Sequence, residues 1–136
     1  MDADLKDEIE RWLEKARDDL GVARHLNEQY HPKPVEIICF HCQQAAEKAI
    51  KAVILSRGAQ EIPRSHDLSL LLHHLKDISE KRILDFANLL NPYAVKVRYP
   101  NEMYLQDSDC STALCGAQEI LGWCEAQINL EKGITQ

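Results

Sequence analysis

The sequence predicts an all-α fold: an up-down-up-down four-helix bundle with an extra short helix between the second and third long helices. Three observations carry this. Apolar residues recur at alternating steps of three and four through most of the chain, the spacing of amphipathic helices. No stretch alternates apolar and polar residues at the period of a strand. Most connections between the helical stretches are short, which makes neighbouring helices antiparallel. A chain of 136 residues is expected to form one domain, residues 1–136, and to bury about two-thirds of its unfolded surface without a metal or disulfide.

The first helix is expected over residues 3–29, with Leu5, Ile9, Leu13, Ala16, Leu20 and Ala23 as its apolar stripe. Its acidic and basic residues between the stripe positions form a solvated face. Tyr30, His31, Pro32 and Pro34 end it, because proline and the residue before it disfavour helix. From Val35 to about Arg57 a second helix is apolar around most of its circumference, leaving a narrow polar strip of Gln44, Glu47, Lys48 and Lys51. Such a helix must be covered on several sides. Phe40 falls on the polar strip, where either a dimer contact or simple exposure accounts for it. Gly58 is placed to stop this helix.

Ser65 or Asp67 caps the short helix, which carries Leu68, Leu71, Leu72 and Leu75 on one side. Arg64, His66 and Asp67 cluster at its start, where free backbone N–H groups favour an anion; a cap beside an exposed histidine is the alternative. Ser79 caps the next helix, with Ile83, Phe86, Ala87 and Leu90, and Pro92 ends it. The last helix starts at Ser108 or Asp109, presents Cys110, Leu114, Ala117, Leu121, Cys124 and Ile128 as a bundle seam, and closes at Gly133.

Charge and composition narrow the function. The net charge of −6 disfavours a protein that grips duplex DNA through a basic face, while leaving room for a local phosphate site. No apolar run reaches the roughly 18 residues of a membrane span, and the acidic start is unlike a signal peptide, so a cytoplasmic location is expected. Reduced thiols are expected for the five cysteines. Cys39 and Cys42 form a C-x-x-C, but mid-helix and without a second pair, which reads as core packing; His73 and His74 point about 100° apart on a helix and suit no common metal. Neither a metal nor a cofactor is expected.

The stretch Pro92–Tyr104, PYAVKVRYPNEMY, breaks the helical pattern and lies within a connection of about 16 residues, long for a bundle. Arg98 offers a planar fork for phosphate oxygens, Lys96 adds charge, and Tyr93, Tyr99 and Tyr104 can stack on a base or donate a hydroxyl. Together they suit a nucleotide or single-stranded RNA. A structural pairing of Arg98 with Glu102 or Asp107 is the alternative. Hydrolysis of RNA would need a proton-transfer group, and no histidine follows His74, so such a histidine must come from His66, His73, His41 or a partner subunit.

Four pieces in order, WLEKARDDL, FHCQQAAEKAIKAVILSRG, SHDL and VRYPNEMY, resemble the HEPN domain family of bacteria and archaea, in particular its HepT-like branch, over roughly residues 9–130. The resemblance implies an all-α bundle that forms a homodimer, with an arginine motif near the dimer cleft, and a minimal nucleotidyltransferase from a neighbouring gene as partner in a toxin–antitoxin pair. It further implies metal-independent ribonuclease activity through an arginine followed, four to six residues on, by a histidine. Arg98 matches that arginine, whereas Met103–Leu105 holds no histidine; His66 or Tyr104 is then left to move protons. Tyr104 matches the tyrosine to which partner nucleotidyltransferases attach AMP in similar toxins. Three functions follow: a module binding a nucleotide or RNA phosphate beside a nucleotidyltransferase, a ribonuclease toxin, and a pure interaction module.

Overall fold

In the computed structural model, residues 2–75, 78, 80–94 and 105–135 are described. They form helices α1 (Ala3–Gln29), α2 (Val35–Ser56), α3 (Leu68–His73), α4 (Lys81–Leu90) and α5 (Asp107–Thr135), with a 3-10 turn, Asn91–Ala94, continuing from α4. No strand occurs among the described residues. The expected order of four longer helices and one short insertion is present, although α4 is only 10 residues long.

Cross-helix contacts fix the directions. Asp19 meets His41 and Trp12 meets Lys51, so α1 and α2 are antiparallel. Arg82 meets Glu119 and Phe86 lies under Gly116, which makes α4 and α5 antiparallel, and Arg17 meets Glu125, which links α1 to α5. Cys39 reaches Asp109, and Arg57 reaches Gln127, so α2 and α5 run parallel, as alternate helices of an up-down bundle must.

The stripes predicted by spacing supply the core. Ile9, Leu13, Ala16, Leu20 and Ala23 of α1 are buried, with Leu5 half-buried against them. Leu68, Leu71, Leu72 and Leu75 are fully sequestered, as are Ile83, Ala87 and Leu90. On α5 the seam is buried except at Leu114, which packs at its margin. A leucine-to-alanine change at any of the fully buried positions is worth about 2–5 kcal/mol of stability.

The helix ends correct several expectations. Asp67, rather than Ser65, is the N-cap of α3, and Ser65 Oγ instead accepts the Asp67 N–H at 3.0 Å. Glu80 occupies the N-cap of α4 and makes no side-chain cap bond, while Ser79 lies outside the described residues. α4 ends at Leu90, ahead of Pro92 as expected, but a 3-10 turn follows in which Pro92 sits second, where its fixed φ is compatible and no helical N–H is demanded of it. α5 starts at Asp107 and runs past Gly133 to Thr135, since one exposed glycine near a helix end costs only about 1 kcal/mol. Gly58 does stop α2, at φ +91°, the left-handed conformation that favours glycine.

Candidate functional site

The second helix departs from its expected polar strip in a way that matters for chemistry. Glu47 and Lys51 are 4% and 7% exposed, and Gln43, one turn earlier, is fully buried. Steps of four put the three side chains in one row along α2. The row is covered by the chain that follows Gly58 and by Trp12 of α1, whose ring lies 5.9 Å from Lys51 Nζ. Gln43 Nε2 donates to the His66 carbonyl at 3.0 Å and approaches Glu47 Oε1 at 3.3 Å. Its own Oε1 accepts from Gln44 Nε2 at 2.8 Å. Lys51 Nζ donates to Glu47 Oε2 at 3.1 Å, and His66 Nδ1 lies 3.0 Å from Glu47 Oε1. Every oxygen of the buried carboxylate is therefore engaged, as burial of a charge requires. The imidazole itself is open, with 69% of its side chain exposed.

One residue further on, Asp67 and Asn91 form a second polar knot. Asp67 Oδ1 accepts from the Ser69 and Leu70 N–H groups at 2.9 and 3.2 Å and from Asn91 Nδ2 at 3.0 Å. Asn91 Oδ1 accepts the Leu68 N–H at 2.8 Å. The bond from Asn91, helped by those backbone donors, holds the Asp67 carboxyl below the usual aspartate range. These bonds occupy the N–H groups of Leu68, Ser69 and Leu70, so the start of α3 is an internally satisfied cap and not an anion seat. Arg64 is exposed beside it.

The same knot ties the stem of the non-helical stretch to the fold. Asn91 begins the 3-10 turn that leads through Pro92 and Tyr93 to Ala94. Tyr93 is half-buried; burial above all, with Cys39 and Asp109 close by, pushes its hydroxyl up to about 12. On the far side, Gln106 donates its N–H to Asp109 Oδ2 at 2.7 Å, opening α5. Lys96, Arg98, Tyr99 and Tyr104 lie in residues 95–104, outside the described residues. The described neighbours thus join the base of that stretch to the His66–Asp67 corner.

The cysteines behave as core thiols. Cys39 and Cys42 are buried on α2, and burial pushes both thiols up to about 12; burial raises Cys110 and Cys124 as well. A neutral thiol is a poor nucleophile and a poor metal ligand at neutral pH. Among the described residues no group of three or more His, Cys, Asp or Glu side chains is placed to hold a metal ion. His73 and His74 are exposed. Phe40 is half-buried and meets His41 edge to face at 5.6 Å between ring centres.

A cleft of about 450 Å³ lies elsewhere, between α1 and α5, lined by Arg17, Leu20, Arg24, Gln118, Leu121 and Gly122 among others. Arg17 bridges its edge, donating to Glu10 and Glu125 at 2.8 Å each. It shares no residue with the polar corner.

An all-helical bundle of alternating direction, with a polar corner bonded to the turn that follows α4, defines the class. Within that class, the chain belongs to the HEPN domain family, whose model matches residues 9–127. Two crystal structures are similar over 88% of this chain and 97% of theirs. The archaeal HEPN homologue ST0689 is 30% identical with a TM-score of 0.71, and TT1696 from Thermus thermophilus is 28% identical with a TM-score of 0.70. No curated protein matches the chain. No helix among the described residues is long and apolar enough to cross a membrane.

Proposed function

We propose that this HEPN chain binds a nucleotide or single-stranded RNA through its phosphate at Arg98, as a homodimer that works with a minimal nucleotidyltransferase from a neighbouring gene. The carrying observation is the anchored stem. Asn91 and Tyr93 are tied to Asp67 and to the Cys39–Asp109 side of the bundle, so the residues that lead toward Arg98 in sequence are anchored as far as Ala94. Arg98 clamps the phosphate, Lys96 and Arg64 add local positive charge, and Tyr99 stacks on a base. Tyr104 is the position that a nucleotidyltransferase partner modifies. The setting is cytoplasmic, and no cofactor takes part.

Two measurements test this reading. Equilibrium binding of at least one of ATP, GTP and a short single-stranded RNA should weaken about tenfold to a hundredfold in Arg98→Ala while the helical content is retained, and the neighbouring nucleotidyltransferase should copurify with the chain. Unaltered binding by Arg98→Ala contradicts the clamp.

A second reading, a metal-independent ribonuclease toxin, is favoured by one specific observation: His66, an exposed imidazole, is held by a buried carboxylate. In this reading Arg98 stabilises charge on the phosphorane and His66 or Tyr104 moves protons. Expression of the chain alone should then arrest growth and deplete transcripts. Normal growth with intact transcripts counts against it.

A further inference from the structure

We propose that Glu47 is a positioning residue that holds His66 with its proton on Nδ1, leaving Nε2 as the base that takes the 2′-hydroxyl proton of a bound RNA strand. This rests on the ribonuclease reading above.

The argument begins with the buried row. Glu47 accepts from Lys51 at 3.1 Å on one oxygen and faces His66 Nδ1 at 3.0 Å on the other. A carboxylate against an ammonium group is ionised and only accepts hydrogen bonds, so the nitrogen that faces it must carry the proton. In a neutral imidazole the other nitrogen, Nε2, is then an acceptor. Gln43 fixes the backbone at the same place by donating to the His66 carbonyl at 3.0 Å. Glu47 thus holds the ring and Gln43 the backbone behind it, while 69% of the side chain stays open. Burying two charges is a costly way to hold a surface loop, since apolar side chains of like volume serve stability as well or better. Orienting a histidine is a use that apolar side chains cannot replace.

The reaction balances without a co-reactant. The 2′-oxygen gives its proton to Nε2 and forms a bond to phosphorus as the bond from phosphorus to the 5′-oxygen breaks. The products are a 2′,3′-cyclic phosphate and a 5′-hydroxyl that takes its proton from water, and the imidazolium returns the 2′-proton to the hydroxide left behind, so the neutral imidazole is restored.

The test uses the full chain and two readouts. Long-range proton–nitrogen correlation spectra report the tautomer of neutral His66 directly. Wild type is expected to show Nδ1–H, and Glu47→Gln with Lys51→Met, which removes the buried pair together, is expected to move His66 toward the commoner Nε2–H form. Nε2–H in the wild type overturns the positioning. On a short RNA, His66→Ala should lower kcat by about a hundredfold or more, and the double variant by about tenfold or more with KM little changed. An RNA left uncut by wild type, with Nδ1–H in place, overturns the ribonuclease reading and the role of Nε2 as base, though not the geometry. Cleavage that survives both changes overturns the role of His66 alone.

Discussion

Asn91 and Asp67 are bonded across 24 positions of sequence: Asn91 Nδ2 donates to Asp67 Oδ1 at 3.0 Å, while Asn91 Oδ1 accepts the N–H of Leu68. One side chain therefore completes the cap of α3 and anchors the turn that follows α4.

Asn91→Ala removes both bonds and leaves the half-buried Leu68 N–H without its partner, so it should destabilise the fold by about 1–2 kcal/mol in denaturant unfolding. It should also change the acid dependence. The Asp67 carboxyl lies lower in the folded chain than in the unfolded one, so its contribution is complete above the ordinary value of about 3.9 and is lost as pH falls through the lower folded value. Asn91→Ala should flatten that loss in a series of melts from about pH 5 downward. An equal acid slope in both proteins would show that the bond does not act on Asp67.

The buried Glu47–Lys51 pair should be strongly non-additive. Lys51→Met alone leaves a buried carboxylate without its ammonium and is expected to cost about 3–5 kcal/mol, whereas Glu47→Gln with Lys51→Met should cost much less than the sum of the single changes. A double-mutant cycle by urea unfolding measures this, and additive effects contradict the pairing.

Glycines in the last helix separate open space from close packing. A Cβ added at Gly122 meets nothing within 4 Å, so Gly122→Ala should gain about 0.5–1 kcal/mol from helix propensity alone. At Gly116 the added carbon would lie 3.1 Å from Phe86 Cδ1, and the aromatic ring must move. Gly116→Ala should therefore fall below Gly122→Ala in melting temperature, and the reverse order would contradict the α4–α5 packing.

Thiol reactivity should follow burial. Of the five cysteines only Cys115 is exposed, while burial raises Cys39, Cys42, Cys110 and Cys124. A colorimetric thiol reagent should react quickly with one group in the native protein and with all five after denaturation. Fast reaction of two or more native thiols would show that the core opens easily.

Much of this architecture was legible because burial in a bundle follows a period of 3.6. The stripes on α1 and α3 and the seam on α5 could be placed from spacing, and Gly58 from its backbone freedom. Spacing misled at Glu47 and Lys51. A helical wheel assigns charged residues to solvent, and it is tertiary structure, through the crossing chain at His66 and through Trp12 of α1, that covers them. The signal was present as Gln43, Glu47 and Lys51 in steps of four, but nothing local says that a loop will close over that row. The role of Asn91 was equally hidden, since its partners at Asp67 and Leu68 are distant in sequence. In contrast, Arg98 stood out by residue type, and it lies outside the described residues.

Calorimetric titration of the wild-type chain and Arg98→Ala with ATP, GTP and a short single-stranded RNA tests phosphate recognition most directly. Wild type should bind at least one of these ligands, more weakly as salt rises. Arg98→Ala should bind that ligand about tenfold to a hundredfold less tightly, the loss of a charged hydrogen bond worth about 1.5–3 kcal/mol. Equal binding by the two proteins, or none by the wild type, would contradict it.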